Sequence, residues 1–186
     1  MMKRKTFLNT LLILFVLSFF VTPLGEFGKV MLYKLFASTA VVIENSKQDK
    51  LTEYDWKLRD ANHKEFNFKV SQGKVVFVHM WASWLVSSAA ELQYVQETYD
   101  RYKGKVDFYI MTNEDRIVVE EFMAKKKFTF PVTYLISKEN SALDTTIVPA
   151  TFIIGKQGSI VVHQKKDIAK WNSETIYTVL DTLIKE

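Results

Sequence analysis

The sequence predicts an α/β protein: one domain in which helices sandwich a mixed β-sheet, preceded by an N-terminal transmembrane helix. Three patterns lead to this prediction. A basic start precedes an apolar run at residues 6–25, a β-rich apolar run at residues 75–81 alternates with stretches of helical spacing, and two short strands within residues 151–162 precede a last helix. Because alternating strands and helices bury their apolar sides against each other, this order predicts a mixed sheet with helices on both faces.

The composition fits one globular domain and argues against several kinds of function. The chain has 186 residues, 48% of them hydrophobic, which allows one targeting segment and one domain with a buried core. Its 25 basic and 21 acidic residues are interleaved, with no long basic tract to follow phosphates, so no nucleic-acid partner is predicted. The chain contains no cysteine, which excludes disulfides, thiol nucleophiles, thiolate ligands and iron–sulfur clusters.

The first 51 residues are predicted to target and anchor the chain. Residues 1–5 form a basic cytoplasmic start, residues 6–25 a transmembrane anchor, and residues 26–51 an interfacial segment and linker. The domain at residues 52–186 would then lie on the periplasmic side of the cytoplasmic membrane, in a single-pass protein. A cleaved signal peptide is the alternative, although its small-residue site at residues 38–40 lies far beyond the apolar run.

The first half of the domain is predicted to hold a hairpin followed by a β–α–β unit. Residues 56–58 and 66–68 alternate apolar and polar positions, which predicts a short hairpin at a sheet edge. Residues 75–81 are almost continuously apolar, as in a strand with both faces buried. Apolar residues at helical spacing follow as far as Gly104, and a second strand is predicted at residues 106–111.

The second half of the domain predicts two more helices and a hairpin. Asn113 offers a cap for a helix whose basic end lies at residues 125–127. Strands at residues 151–154 and 160–162 flank a Lys-Gln-Gly turn, which predicts an antiparallel hairpin. The last helix is predicted to begin after an Asn172 cap, since apolar residues follow it at helical spacing.

Residues 81–92, WASWLVSSAAEL, resemble the WASWCxxCxxEL segment of the TlpA and ResA-like thiol-disulfide oxidoreductases, a group with the thioredoxin fold. Residues 148–154, VPATFII, resemble the group's VPxTFxID segment, whose proline carries a cis peptide bond beside the active site. The stretch between Val132 and Ile147 resembles an insertion that distinguishes the group from plain thioredoxin. The resemblance as a whole covers residues 54–186 and implies a thioredoxin-like mixed sheet.

The same comparison of motifs shows where the chain departs from the group. Leu85 and Ser88 stand at the positions of the two cysteines, so the attacking and the resolving sulfur of the group's reaction are both missing. We therefore predict no catalytic residue and no thiol–disulfide exchange by this chain alone. Glu91 matches an acidic residue that tunes the cysteines in the group and, with no thiol to tune, is predicted to be structural.

No other catalytic or metal site is predicted. Ser87 and Ser88 lack a serine-elbow motif and are interpreted as helix caps. The three histidines, His63, His79 and His163, are scattered and have no carboxylates at ligand spacing. Neither a metal nor another cofactor is therefore predicted.

The remaining candidate is an apolar binding site. The resemblance implies that Trp81, Trp84, Leu85, Val148 and Pro149 converge at one end of the sheet, where active relatives grip a polypeptide. An exposed apolar patch with aromatic side chains is typical of a protein contact, and burial of these residues beneath loops is the alternative. The sequence thus favours a membrane-anchored, non-catalytic module that binds a polypeptide partner in the cell envelope. The alternatives are a component of thiol–disulfide chemistry that acts through a redox-active partner, and a structural anchor.

Overall fold

The described part of the chain, residues 4–136 and 143–186 of a computed structural model, folds around one seven-stranded sheet. The strands are β1 (Lys57–Arg59), β2 (Glu65–Asn67), β3 (Val76–Met80), β4 (Asp107–Thr112), β5 (Val132–Leu135), β6 (Ala150–Ile154) and β7 (Ile160–Lys165). The helices are α1 (Arg4–Val21), α2 (Pro23–Leu35), α3 (Val86–Tyr102), α4 (Arg116–Lys126) and α5 (Glu174–Lys185). The strand order is β2-β1-β5-β4-β3-β6-β7.

The sheet is mixed, as predicted. All five residues of β3 are buried, and β3 lies between β4, which runs parallel to it, and β6, which runs antiparallel. The hairpin of β1 and β2 lies at one edge, and β6 pairs with β7 in the predicted antiparallel hairpin. The prediction omitted β5, which pairs parallel to β4.

The three helices that follow β3 contribute to the core on one face of the sheet. Residues from all of them, including Leu92, Val119 and Leu180, share one buried cluster with Phe77 of β3. Because β3, β4 and β5 lie side by side in chain order, two right-handed crossovers in the same direction place α3 and α4 on the same face. Within the described residues, loops and a short 3₁₀ helix at Phe68–Ser71 cover the other face, which differs from the predicted helices on both faces.

The apolar N-terminal run forms two helices rather than one membrane-spanning helix. Thr22 caps α2 by accepting a hydrogen bond from an amide three residues further on (3.2 Å), and Pro23 occupies the first turn, so a new helix starts there. The 18 residues of α1 begin with Arg4 and Lys5 and extend about 27 Å, less than the ~30 Å hydrocarbon core of a bilayer. No helix among the described residues is both long enough and apolar enough to cross a membrane. The predictions of a transmembrane helix over residues 6–25 and of a single-pass protein in the cytoplasmic membrane, with its domain on the periplasmic side, are therefore wrong.

The residues after α1 pack against the domain. A buried cluster connects α2 with the start of α3. It contains Val30 of α2, Ala37 just after that helix, Ala89 and Ala90 of α3, and Ile168. Further on, the Ile43 amide donates to the Val161 carbonyl and the Leu51 amide to the Gly158 carbonyl, both at 2.8 Å. The chain thus follows the outer edge of β7 and covers backbone groups that an edge strand would otherwise expose.

Candidate functional site

The carboxyl end of β3 and the amino end of β6 meet at one end of the sheet. Met80, the last residue of β3, pairs with Ala150, the first residue of β6. This register places Trp81 and Pro149, the next residues outward, at the same end. The peptide bond between Val148 and Pro149 is cis. The two segments that resemble the thiol-disulfide oxidoreductases are therefore neighbours in the fold.

Hydrogen bonds hold the loop between β3 and α3 in place. The Ala82 amide donates to the Ser88 hydroxyl oxygen (3.3 Å), and the Leu85 amide donates to the Ala82 carbonyl (3.2 Å). The amide and the hydroxyl of Ser83 both donate to the Glu114 carboxylate, the hydroxyl at 2.7 Å. These contacts tie the loop to α3 and to the segment before α4.

The start of α3 differs from the predicted capping by serine. Leu85 is the N-cap residue, and its side chain makes no capping hydrogen bond. Ser87 and Ser88 are buried inside the first turn. The Ser88 hydroxyl oxygen accepts a hydrogen bond from the Ala82 amide instead of capping the helix. The prediction that one of these serines caps the helix is wrong, because the helix begins at Val86. The position of the missing attacking sulfur is thus the amino end of α3.

The five residues predicted to bind a partner do not share one environment. Trp84 is 73% exposed, whereas Trp81 is fully buried and packs its ring 5.4 Å from the ring of Phe122. Leu85 and Val148 are half-buried, and Pro149 is buried. Trp81 therefore belongs to the core, and the exposed surface at this end of the sheet is built around Trp84.

Three exposed apolar residues at the same end of the sheet as Trp84 were missed by the sequence reasoning. Within residues 52–136 and 143–186, five large hydrophobic side chains are exposed, and they are Val70, Trp84, Ile117, Val118 and Ile136. The four other than Val70 follow the carboxyl ends of β3, β4 and β5. These ends lie at the same end of the sheet because the three strands are parallel. We refer to Trp84, Ile117, Val118 and Ile136 together as the apolar edge. The pair at 117 and 118 could have been noticed, since it interrupts an otherwise charged helix start.

Two buried titratable side chains of β3 and α3 make hydrogen bonds within the fold. His79 is fully buried, and its Nδ1 atom lies 2.8 Å from the Thr151 hydroxyl oxygen; burial lowers the pKa of His79 to about 3. Glu91 accepts hydrogen bonds from the Ala169 amide and the Trp171 indole nitrogen, both at 3.0 Å, and burial raises the pKa of Glu91 to about 7. Each of these side chains is thus hydrogen-bonded to a distant segment of the fold.

The Ser88 hydroxyl and the His79 ring are hydrogen-bonded to different partners. The hydrogen bonds of His79 and Ser88 go to Thr151 and Ala82, so the hydroxyl at the former resolving position has no histidine base bonded to it. Within residues 4–136 and 143–186, no three histidine or acidic side chains are grouped to hold a metal ion.

Comparisons with known proteins agree with this placement. The family described as Redoxin matches residues 47–180. Thiol-disulfide oxidoreductase ResA of Bacillus subtilis (strain 168) is 25% identical over 162 residues, which cover 86% of this chain and 84% of the relative. The protein of the same name from Bacillus cereus (strain ATCC 10987 / NRS 248) is 28% identical over 174 residues, which cover 91% of this chain and 93% of the relative.

Solved structures have the same fold. A secreted thiol-disulfide isomerase from Corynebacterium glutamicum matches with a TM-score of 0.63 at 12% identity, covering 80% of this chain and 93% of that chain. A DsbF homologue from Corynebacterium diphtheriae matches with a TM-score of 0.61 at 14% identity, covering 78% and 94%. At these identities the likeness shows the fold alone, which is thioredoxin-like. Because the Redoxin match spans most of the chain, the protein belongs to the redoxin family, in which it lacks both cysteines of the CxxC motif.

Proposed function

We propose that this chain is a non-catalytic redoxin-family module that binds a polypeptide through the surface around Trp84 and Leu85. The exposure of Trp84 is the observation that carries the proposal, since 73% of this residue is open to solvent next to the position of the missing attacking sulfur. Leucine at position 85 removes the chemistry and adds apolar surface at the same point. A surface built in this way is suited to holding a chain, not to reducing it.

The size of the exposed indole supports a binding role. A tryptophan buries about 150–250 Å² when fully covered, so covering Trp84 contributes roughly 3 kcal/mol at about 25 cal/mol per Å². Tryptophan is also among the residues that most often dominate the binding energy of protein interfaces. One side chain of this kind could therefore account for a large part of a weak, specific contact.

The rigid loop strengthens this argument. Glu114 accepts two hydrogen bonds from Ser83, and Ser88 accepts one from Ala82, so the residues on either side of Trp84 are fixed before binding. Ordering a flexible loop on binding would cost about 0.5–1.5 kcal/mol for each immobilised side chain. A preorganised loop avoids part of that cost.

Photo-crosslinking from position 85 tests the proposal. Benzoylphenylalanine is placed at this position in the full chain, and we expect it to crosslink one discrete polypeptide. That polypeptide is identified and purified, and its crosslinking to the full chain is then measured again; we call this second measurement recapture. Trp84→Asp should reduce recapture at least about tenfold, since the loss of one buried anchor costs more than about 1.4 kcal/mol.

Val70→Asp is the matched control, because Val70 is 59% exposed and lies in the 3₁₀ helix that precedes β3, at the other end of that strand. The control should leave recapture unchanged. Equal recapture by the Trp84→Asp variant and the unmodified chain would contradict the proposal.

The names of the relatives favour a second candidate function. Both curated relatives are thiol-disulfide oxidoreductases, so this chain could hold a substrate for a partner that supplies the sulfur chemistry. The two candidates differ in what is captured. The cysteines of the captured polypeptide are replaced with serine, and recapture of this variant is compared with recapture of the original polypeptide. Loss of recapture would favour the second candidate, and equal recapture would favour the first.

A further inference from the structure

The apolar edge is flanked by an acidic stretch at the start of α4. Residues 114–121 hold four acidic side chains, at positions 114, 115, 120 and 121, and one basic side chain, Arg116, for a net charge of −3. Arg116 forms a salt bridge with Glu120, so its charge is already compensated within the helix. Asp115, Glu120 and Glu121 are exposed on the helix that carries Ile117 and Val118.

Two other charged groups of the described residues near the apolar edge have a partner of opposite charge or a nearby carboxylate. Lys165 pairs with Asp144 at 3.3 Å beside the segment that leads to β6. Near Ile136, Lys57 lies on the neighbouring strand β1 and is paired with Asn67. The Asn67 side chain donates a hydrogen bond to the Asp55 carboxylate, which places a negative charge close to Lys57. Neither pair provides a net positive charge to offset the acidic stretch.

The lysine run lies at the other end of α4, where Lys125 is one helical turn from Glu121 but farther from Ile117. Lys125 lies eight residues beyond Ile117, which is about 12 Å along the helix, compared with a screening length of about 8 Å at physiological salt. Lys125 and Lys126 also face Glu26 of α2, at 3.7 and 3.4 Å. The charges of the described α4 residues nearest Ile117 and Val118 therefore sum to a negative value.

From this arrangement we infer that the apolar edge binds a polypeptide segment in which apolar side chains lie next to lysine or arginine. This inference rests on the proposed function and names the class of partner. Apolar side chains cover Trp84, Ile117 and Val118, while basic side chains approach the carboxylates and lay their aliphatic stems on the same surface. The charges select among partners and speed their approach, and apolar burial provides most of the affinity.

Three synthetic peptides of twelve residues test the inference with the full chain. Each carries the same six leucines and a fluorescent label, and the other six positions are all lysine, all glutamine or all glutamate. Binding is measured by fluorescence anisotropy. We expect the lysine peptide to bind at least about tenfold more tightly than the glutamate peptide near 0.1 M salt, and the difference to shrink at 1 M salt, where the screening length is about 3 Å.

A charge-neutralised variant locates the effect. Asp115→Asn combined with Glu121→Gln removes two negative charges, and asparagine can still cap α4 in place of Asp115. The preference for lysine over glutamate should fall to about threefold or less, with binding of the glutamine peptide unchanged. Asp49→Asn is the matched control, because Asp49 is exposed and lies where the N-terminal segment pairs with the start of β7, away from the apolar edge.

The outcomes separate the inference from the proposed function. Equal binding of the three peptides, still sensitive to Trp84→Asp, would overturn the charge preference and leave the polypeptide-binding function standing. An unchanged preference in the Asp115→Asn, Glu121→Gln variant would likewise overturn the inference. If none of the peptides binds the folded chain, the proposed function and the inference both fail.

Discussion

Replacing Glu91 with glutamine is expected to make the free energy of unfolding rise more steeply with pH between about 4.5 and 6.5 than it does in the unmodified protein. The reason is that two buried groups, Glu91 and His79, contribute opposite slopes in this window. Burial raises the pKa of Glu91 to about 7 and lowers the pKa of His79 to about 3.

The slope from Glu91 is negative. Its ordinary pKa is 4.5, so between pH 4.5 and 7 the folded protein keeps a proton on Glu91 that the unfolded chain has lost. Stability therefore falls as the pH rises through this window, by about 3 kcal/mol in total. Glutamine keeps an oxygen to accept from the Ala169 amide and the Trp171 indole, and it does not titrate.

The slope from His79 is positive. Its ordinary pKa is 6.5, so between pH 3 and 6.5 the unfolded chain binds a proton that the buried ring in the folded protein does not. Stability therefore rises with pH through this window, by about 5 kcal/mol in total. With Glu91 replaced, this slope is left unopposed, at about 1.4 kcal/mol per pH unit.

Urea unfolding at several pH values between 4.5 and 6.5 measures both slopes. The Glu91→Gln variant should become more stable as the pH rises, and a His79→Gln variant should become less stable. A Glu91→Gln variant with the same pH profile as the unmodified protein would contradict the assignment of a raised pKa to Glu91. The Glu91→Gln variant tests the raised pKa of Glu91 even if the His79→Gln variant does not fold.

Restoring two cysteines is expected to create a disulfide reductase. The variant with Leu85→Cys and Ser88→Cys should reduce insulin with dithiothreitol as the electron source, on the order of tenfold or more above the unmodified chain, which should not exceed the buffer background. Position 85 is the N-cap of α3, where backbone amides favour a thiolate, and its half-buried side chain is reachable. Position 88 is buried one turn further on.

The expected reaction uses each sulfur once. The thiolate at position 85 attacks the insulin disulfide and releases one insulin thiolate, and the thiolate at position 88 then attacks the sulfur at position 85, which frees the second insulin thiol and leaves a disulfide between positions 85 and 88. Dithiothreitol reduces that disulfide and is itself oxidised. The single Leu85→Cys variant is the control and should form mixed disulfides without the resolving step. Activity of the unmodified chain would contradict a non-catalytic role, and a folded but inactive double variant would contradict the placement of the site.

Local patterns were sufficient to predict the central part of the fold. The continuous apolar run around Val76–Met80 predicted the buried strand β3, and the turn with Gly158 predicted the hairpin of β6 and β7. β5 was not predicted because its four residues, Val132–Leu135, carry little pattern of their own and lie within the stretch that was interpreted as an insertion. The caps of α4 and α5 were also misplaced, at Asn113 and Asn172 instead of Asp115 and Ser173. Several polar residues compete for the cap near each helix start, and tertiary packing decides among them.

The site shows a sharper limit of sequence reasoning. Trp81 and Trp84 stand three residues apart in one motif, yet the Trp81 amide bonds to Met111 in continuation of the sheet and its side chain is buried, while Trp84 points into solvent. The role of Glu91 depends on Ala169 and Trp171, which are about 80 residues away in the chain. Contacts at this separation leave no local pattern. The transmembrane prediction failed for a local reason. Hydropathy alone did not reveal the helix break at Thr22 and Pro23.

Binding of a thiol-free polypeptide would show whether the surface around Trp84 binds polypeptide without sulfur chemistry. The probe is insulin B chain with its thiols blocked by iodoacetamide and a fluorescein label, titrated with the full chain and followed by anisotropy. We expect saturable binding that Trp84→Asp weakens at least about tenfold and Val70→Asp leaves unchanged. No saturable binding, or equal binding by the Trp84→Asp variant, would contradict the claim.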